Sequence, residues 1–135
     1  KLPGKHGEKM MIDTKAGQRA VTDYAIIERL GKRASWIALR PRTGRTHQLR
    51  VHMTALGTPI LGDGKYGGEG AFLESDGLSR KLHLHARDIC LPRPNGDQLF
   101  VEAVLPEHMS KSWHLLGFDI KNYDDPFPNA SYKND

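Results

Sequence analysis

Apolar positions along the chain fall into short alternating or clustered runs separated by polar, glycine-rich stretches. Residues 20–29 (AVTDYAIIER) carry Val21, Tyr24, Ile26 and Ile27, the β-branched and aromatic enrichment expected of a strand. Gly31 and Lys32 supply a turn, and Trp36, Ile37 and Leu39 follow, so the pair predicts a β-hairpin. Further on, Leu49, Met53 and Leu56 recur at i, i+4 and i+7, one apolar face of a helix. Thr46 stands where the N-cap of that helix belongs and Gly57 where its C′ glycine belongs. His47, Arg50 and Thr54 share a different face at the same spacing.

Residues 57–81 hold seven glycines with little periodicity and predict a long loop, of a length that in compact domains is usually functional or disordered. Leu82, Leu84 and Ala86 then alternate with His83, His85 and Arg87, the pattern of a half-buried strand. Cys90, within ICL, reads as a small buried core residue. Asn95 and Gly96 mark a hairpin turn, with LFVEAVL at 99–105 as the returning strand. Pro106 opens a final helix with Met109, Trp113 and Leu116 on one face, and Gly117 ends it. Three segments follow: an extended connector at 1–19, the fold proper at 20–118 and a polar surface tail at 119–135. Hairpins joined by single helices predict an α+β fold, a mainly antiparallel mixed sheet flanked by helices.

At 135 residues the chain has room for one domain, and 38% hydrophobic against 27% charged residues fits a modest core under a solvated surface. Apolar runs are too short for a spanning helix, so no membrane partner is expected. No signal-peptide pattern leads the chain, and the single cysteine fits a reducing cytosol, so a cytoplasmic protein is expected. Because the first residue is Lys1, the expectation is a processed chain or a piece of something longer. Charge changes the picture most. Residues 1–70 carry 13 Lys or Arg against 6 Asp or Glu, a net of +7, whereas residues 71–135 carry 7 against 10, a net of −3. A basic half on a chain of pI 9.3 points to a polyanion partner.

Several motifs fail on context. GDGKYG at 62–67 matches G-x-G-x-x-G, but a helix and Pro59 precede it where a dinucleotide site needs a strand. Gly57 and Gly62 bracket four residues as in a phosphate-binding loop, yet Asp63 stands where lysine is required. Of the seven histidines, His47 and His52 are five apart and point to different helix faces. His83 and His85 share one strand face as two metal ligands would, but no cysteine or carboxylate at ligand spacing completes a set. No metal is expected, and a metal hydrolase built on those two histidines is the remotest reading.

The informative stretch is RPRTGRTHQLRVH at 40–52, where Arg40, Arg42, Arg45 and Arg50 cluster around a helix start. Such a start suits a phosphate or a carboxylate. Together with GTPILGDGKYGG and LHLHA it closely resembles the Rlu family of pseudouridine synthases. The family blocks G-R-T-H-Q-[IL]-R-V-H, G-[HT]-P-[IL]-x-G-D-x-x-Y-G and L-H-A correspond to residues 44–52, 57–67 and 84–86, in order. Thr58 stands where many members have histidine, and the resemblance runs from about residue 16 to about residue 118.

The resemblance implies a cofactor-free isomerisation of uridine to pseudouridine in 23S, large-subunit ribosomal RNA. The base is detached from its ribose and reattached through carbon, with an aspartate in an H-R-L-D stretch as the essential group. By the same resemblance Arg50 is the arginine that pairs with that aspartate. Arg42, Arg45, Thr46, His47 and Gln48 are expected to face RNA, as are Lys65 and Tyr66 in the following loop. H-R-L-D is absent from these residues, and the family's base-stacking tyrosine has no match. Asp63 belongs to the G-D-x-x-Y block and is not the nucleophile, and Tyr24 reads as packing. The chain is therefore expected to be the C-terminal half of a catalytic domain, inactive alone, with the N-terminal half of the same enzyme as its protein partner. The alternative is a non-catalytic RNA-binding module.

Overall fold

The computed structural model describes residues 9–13 (as backbone), 19–75, 77–121 and 126–127. Strands β1 (Lys9–Asp13), β2 (Ala20–Leu30) and β3 (Ala34–Pro41) form an antiparallel sheet with β2 in the middle. A second antiparallel pair joins β4 (Asp88–Pro92) and β5 (Gln98–Glu102). Helices α1 (Gln48–Ala55), α2 (Gly64–Gly67) and α3 (Glu107–Leu116) complete the set, with a 3-10 turn at Gly68–Ala71. This is the α+β, antiparallel arrangement that the patterning implied. Part of the expected connector is a strand: β1 pairs with β2 from Lys9 opposite Tyr24 to Asp13 opposite Ala20. Residues 1–8 and 14–18 lie outside the described residues.

Strand β2 carries the core because it is central and covered on both faces. Every residue from Ala20 to Ile26 is buried, Tyr24 among them. A bulge between Ile26 and Glu28 shifts its register against β3, and beyond it the strand leaves the core, with Arg29 exposed. Helix α3 is fixed to β3 by aromatic rings: Trp36 meets Trp113 edge-on at 5.6 Å, and Phe118 lies 5.8 Å from Trp113. Phe127, in the segment expected to run over the surface, is buried with the Arg40 guanidinium 4.9 Å from its ring centre. The rest of the segment beyond residue 121, residue 126 apart, lies outside the described residues.

Three local expectations change. Helix α1 begins one residue later than its sequence signals suggest, with His47 at the N-cap in the left-handed region (φ 52°) and no side-chain cap. Residues 82–87 are not a strand, and the inside-outside pattern is inverted, because His83 is the buried member and Ala86 and Arg87 are exposed. The cause is hydrogen bonding: polar partners from α3 and from the preceding loop surround the imidazole, as described below. Cys90 is half-buried and donates its thiol hydrogen to Gln98 Oε1 at 3.0 Å, so it is no core residue.

The glycine-rich segment is folded, not a plain loop. Gly62 N–H donates to Ala71 O at 2.8 Å, Asp63 N–H to Ile60 O at 2.9 Å, and His83 N–H to Leu61 O at 2.8 Å. Gly62 has φ +88°, and a Cβ there would lie 2.1 Å from the carbonyl oxygen of Lys81. No side chain fits between those two backbones. Gly57 also has a positive φ (+82°) but nothing within 4 Å of its Cβ position. Alanine at Gly57 should therefore cost only the left-handed penalty, about 1–2 kcal/mol. Gly62→Ala adds a backbone collision and should cost at least about 4 kcal/mol or prevent folding. Urea denaturation of the two variants checks this, and equal midpoints would refute the close approach.

Candidate functional site

The turn between β3 and α1 is built on one buried amide. Gln48 sits at the first position of α1, with its side chain turned into the core. Its Nε2 donates to Val21 O at 2.8 Å and to Thr22 Oγ1 at 2.9 Å, both on β2. Its Oε1 accepts from Thr43 Oγ1 at 2.6 Å and from the Arg45 N–H at 3.1 Å. All four hydrogen-bonding positions of the amide are filled by protein. Thr43 in turn accepts from the Val21 N–H at 2.9 Å, and Thr22 Oγ1 shares a 2.8 Å bond with His52 Nδ1 on the next turn of α1. Gln48, expected to face RNA, instead fastens the basic turn to the sheet. Arg45, Thr46 and His47 remain exposed on the outside of that turn.

Across from the turn, Arg50 and Asp63 form a two-point ion pair. Arg50 Nε lies 3.1 Å from Asp63 Oδ2, and Nη2 lies 2.8 Å from Oδ1. The Asp63 side chain has no exposed surface, whereas Arg50 keeps 19%. Asp63 also accepts from the Tyr66 N–H at 3.3 Å, capping α2 and fixing the phenol ring beside the arginine. The Arg50 guanidinium lies 5.1 Å from the Tyr66 ring centre and the Lys65 ammonium 5.4 Å from it. His47 Nδ1 is 2.8 Å from the Tyr66 hydroxyl, with the two rings edge-on. Residues nominated from separate motifs, His47, Arg50, Lys65 and Tyr66, thus meet around one half-buried phenol. Asp63 is the member that sequence reasoning left without a role, and its place between glycines and before Lys65-Tyr66 was the available signal.

A second buried carboxylate organises the other arginines. Asp23 Oδ2 on β2 accepts from Arg40 Nη2 at 2.5 Å and Nε at 3.0 Å, and from Arg42 Nε at 2.7 Å. Arg42 is therefore held at the sheet, with 37% of its side chain exposed. Arg45 lies further out, with its Nε 3.3 Å from Arg19 O.

Charge follows geometry. The Arg50 hydrogen bonds hold the Asp63 carboxyl below the usual carboxylate range, against the opposing effect of burial, and His47 adds to the lowering. The same pair raises the Arg50 guanidinium. Asp63 is ionised and Arg50 charged throughout the neutral range.

The two histidines considered as metal ligands do not converge. His83 Nδ1 is 2.6 Å from Lys81 O and Nε2 is 2.7 Å from Ser112 Oγ, whereas His85 Nε2 is 3.1 Å from Ala103 O. Among the described residues, no three His, Cys, Asp or Glu side chains are grouped to hold a metal ion. No helix among them is long and apolar enough to cross a membrane.

Cations arrayed around an aromatic ring, on a turn braced from beneath, have the makeup of a nucleic-acid-facing surface. Comparison with known proteins makes this specific. Residues 4–55 match the family model described as RNA pseudouridylate synthase. The dual-specificity RNA pseudouridine synthase RluA of Yersinia pestis is 41% identical over 92 residues, which cover 68% of this chain and 42% of the relative. The ribosomal large subunit pseudouridine synthase C of Rickettsia conorii is 40% identical over 101 residues, covering 74% and 32%. RNA pseudouridine synthase 4, mitochondrial, of Arabidopsis thaliana is 34% identical over 150 residues, covering 79% and 31%. The chain belongs to the Rlu family of RNA pseudouridine synthases, and it spans less than half the length of these relatives.

Gln48→Ala strips four partners at once and should destabilise the fold by about 2–3 kcal/mol, read from urea denaturation. Asp63 yields a pH signature. Its carboxyl titrates lower folded than unfolded, so its stabilising contribution is complete above the unfolded value near 4 and fades as pH falls through the folded value. Asp63→Asn should be less stable than wild type at pH 7 and lose less stability on acidification. Parallel acid profiles for the two proteins would contradict the pairing.

Proposed function

We propose that this chain is the Arg50-bearing part of a synthase that isomerises uridine to pseudouridine in large-subunit ribosomal RNA, in the cytoplasm and without a cofactor. The observation that carries the reading is the way Asp63 engages Arg50. It takes the Nε–Nη2 side of the guanidinium, and Nη1 has no hydrogen-bond partner among the described residues. The end-on fork of Nη1 and the outer Nη2 hydrogen suits a second carboxylate, bound by two parallel hydrogen bonds. A carboxylate there is kept ionised and aimed, which is what the family's essential aspartate requires. In the isomerisation the N1–C1′ bond of uridine breaks and a C5–C1′ bond forms, while C5 gives up its proton to solvent and N1 gains one. Arg42, Arg45, Thr46, His47, Lys65 and Tyr66 are assigned to binding the RNA around that centre.

The aspartate is supplied, on this reading, by an N-terminal half of the same enzyme, since H-R-L-D does not occur in these 135 residues. An aliphatic face supports the assignment. Ile89 pairs with Val101 and Leu91 with Leu99, so these four side chains share one face of the β4–β5 hairpin. They are 36–52% exposed. A two-stranded hairpin is marginal in water by itself, and such a face suits cover by the remainder of a catalytic domain.

Tritium release from RNA labelled at C5 of uridine tests the proposal. A synthase that joins these residues to an H-R-L-D-bearing N-terminal half should release tritium, and this chain alone should not. In that longer enzyme Arg50→Ala should lower turnover about 100-fold or more while leaving RNA affinity largely intact. Arg45→Ala should instead weaken binding and reduce the slope of log affinity against log salt by about 1, as expected for one lost phosphate contact. Near-normal turnover by Arg50→Ala would remove the arginine from the chemistry. RNA binding with no release from either protein would favour a non-catalytic RNA-binding module.

A further inference from the structure

We propose that His83 is a positioning residue for the Arg50–Asp63 pair, acting through the backbone of residues 81–83, which its ring holds against Gly62. The consequence for turnover rests on the role of Arg50 proposed above, whereas the clamp follows from the arrangement of these residues. Each residue of the 81–83 segment is fixed by a separate bond. Lys81 O accepts from His83 Nδ1 at 2.6 Å, Leu82 O accepts from His108 Nε2 at 3.0 Å, and the His83 N–H donates to Leu61 O at 2.8 Å. The far side of the imidazole, Nε2, reaches Ser112 Oγ on α3 at 2.7 Å, and Ser112 is buried.

The same Lys81 carbonyl that His83 holds occupies the space a Gly62 side chain would need. Gly62 is covalently joined to Asp63, and the buried Asp63 carboxylate sets the direction of the Arg50 fork. Between the imidazole and the guanidinium there is one backbone contact and one carboxylate, with no flexible side chain to absorb a shift. Close-packed backbones transmit displacement. Loss of the Nδ1 bond frees the Lys81 carbonyl to turn, and the Gly62–Asp63 peptide moves with it.

The partners also dictate the proton arrangement. A carbonyl oxygen only accepts, so His83 carries a proton on Nδ1, while Nε2 shares the single Ser112 hydroxyl hydrogen with His108 O, which accepts it at 3.1 Å. Burial, with the His108 ring 5.2 Å away, pushes the imidazole pKa down and favours the neutral form.

The test uses nitrogen-15 NMR on this chain and kinetics on the longer synthase. In wild type the His83 nitrogens should show the Nδ1–H tautomer, and the Arg50 Nε–H should exchange slowly with solvent because Asp63 holds it. His83→Ala should speed that exchange about 10-fold beyond any change in global stability, the scale of one lost hydrogen bond. His83→Asn places an amide nitrogen where Nδ1 was and should restore slow exchange. His83→Gln reaches toward Ser112 instead and should not. The Asn-against-Gln comparison decides the matter even where His83→Ala does not fold. Unchanged Arg50 exchange in folded His83→Gln, or equal effects of Asn and Gln, would overturn the clamp. In the longer synthase, kcat should fall in His83→Gln and recover in His83→Asn, with KM for RNA little altered. If Arg50 exchange follows this pattern while kcat does not move, the clamp stands and the catalytic role of Arg50 falls.

Discussion

The buried amide of Gln48 is the interaction on which the rest of the site depends. A buried amide with an empty position costs about 1–3 kcal/mol, so four satisfied positions form a strong geometric condition. Here those positions belong to β2, to the turn and to the start of α1. Once they are met, the end of the sheet and the beginning of the helix have one relative placement. His47, the residue just before Gln48, enters the helix in the left-handed region, where an N-cap ordinarily has extended backbone.

From that anchor the charges arrange themselves in two layers. Asp23 and Asp63 lie in the inner layer, almost without exposed surface, and each takes arginines by more than one hydrogen bond. Arg45, Thr46, His47 and Lys65 lie in the outer layer and face solvent. Arg45 and Lys65 in the outer layer bring positive charge to the surface on this side, the sign that attracts phosphate. The basic N-terminal half, visible in a simple count, is the one-dimensional shadow of this arrangement.

What could be read from the sequence divides along a physical line. Periodicity reports which residues share a face, so α1, α3 and both hairpins were legible, and so was the meeting of His47 with Arg50 on one side of α1. Periodicity does not report which polar side chains find partners indoors. His83 looked like the wet half of an alternating strand, yet Ser112, Lys81 O and the loop at Leu61 make it the buried half. Gln48 looked like part of an exposed polar turn because its neighbours are exposed. The glycine-rich segment looked unstructured because its order comes from backbone contacts, such as Gly62 against Lys81, that leave no hydrophobic pattern. Phe127 was misplaced for the converse reason, as a phenylalanine between two prolines in a polar tail gives no period to detect.

Asp63 is best understood through what a buried ion pair can and cannot do. Such a pair is weak evidence of stability, because desolvating two charges offsets most of their attraction. Its use is orientation. A guanidinium is a planar fork with fixed donor directions, so binding one edge to a rigid carboxylate determines where the other edge points. A lysine ammonium would keep the charge and lose that direction. Asp63 is buried completely while part of Arg50 is exposed, so the fixed half is inaccessible and the guanidinium is the half open to solvent. The ordered peptide on which Asp63 sits then matters as much as the carboxylate itself, since any rotation there becomes a rotation of the presented edge.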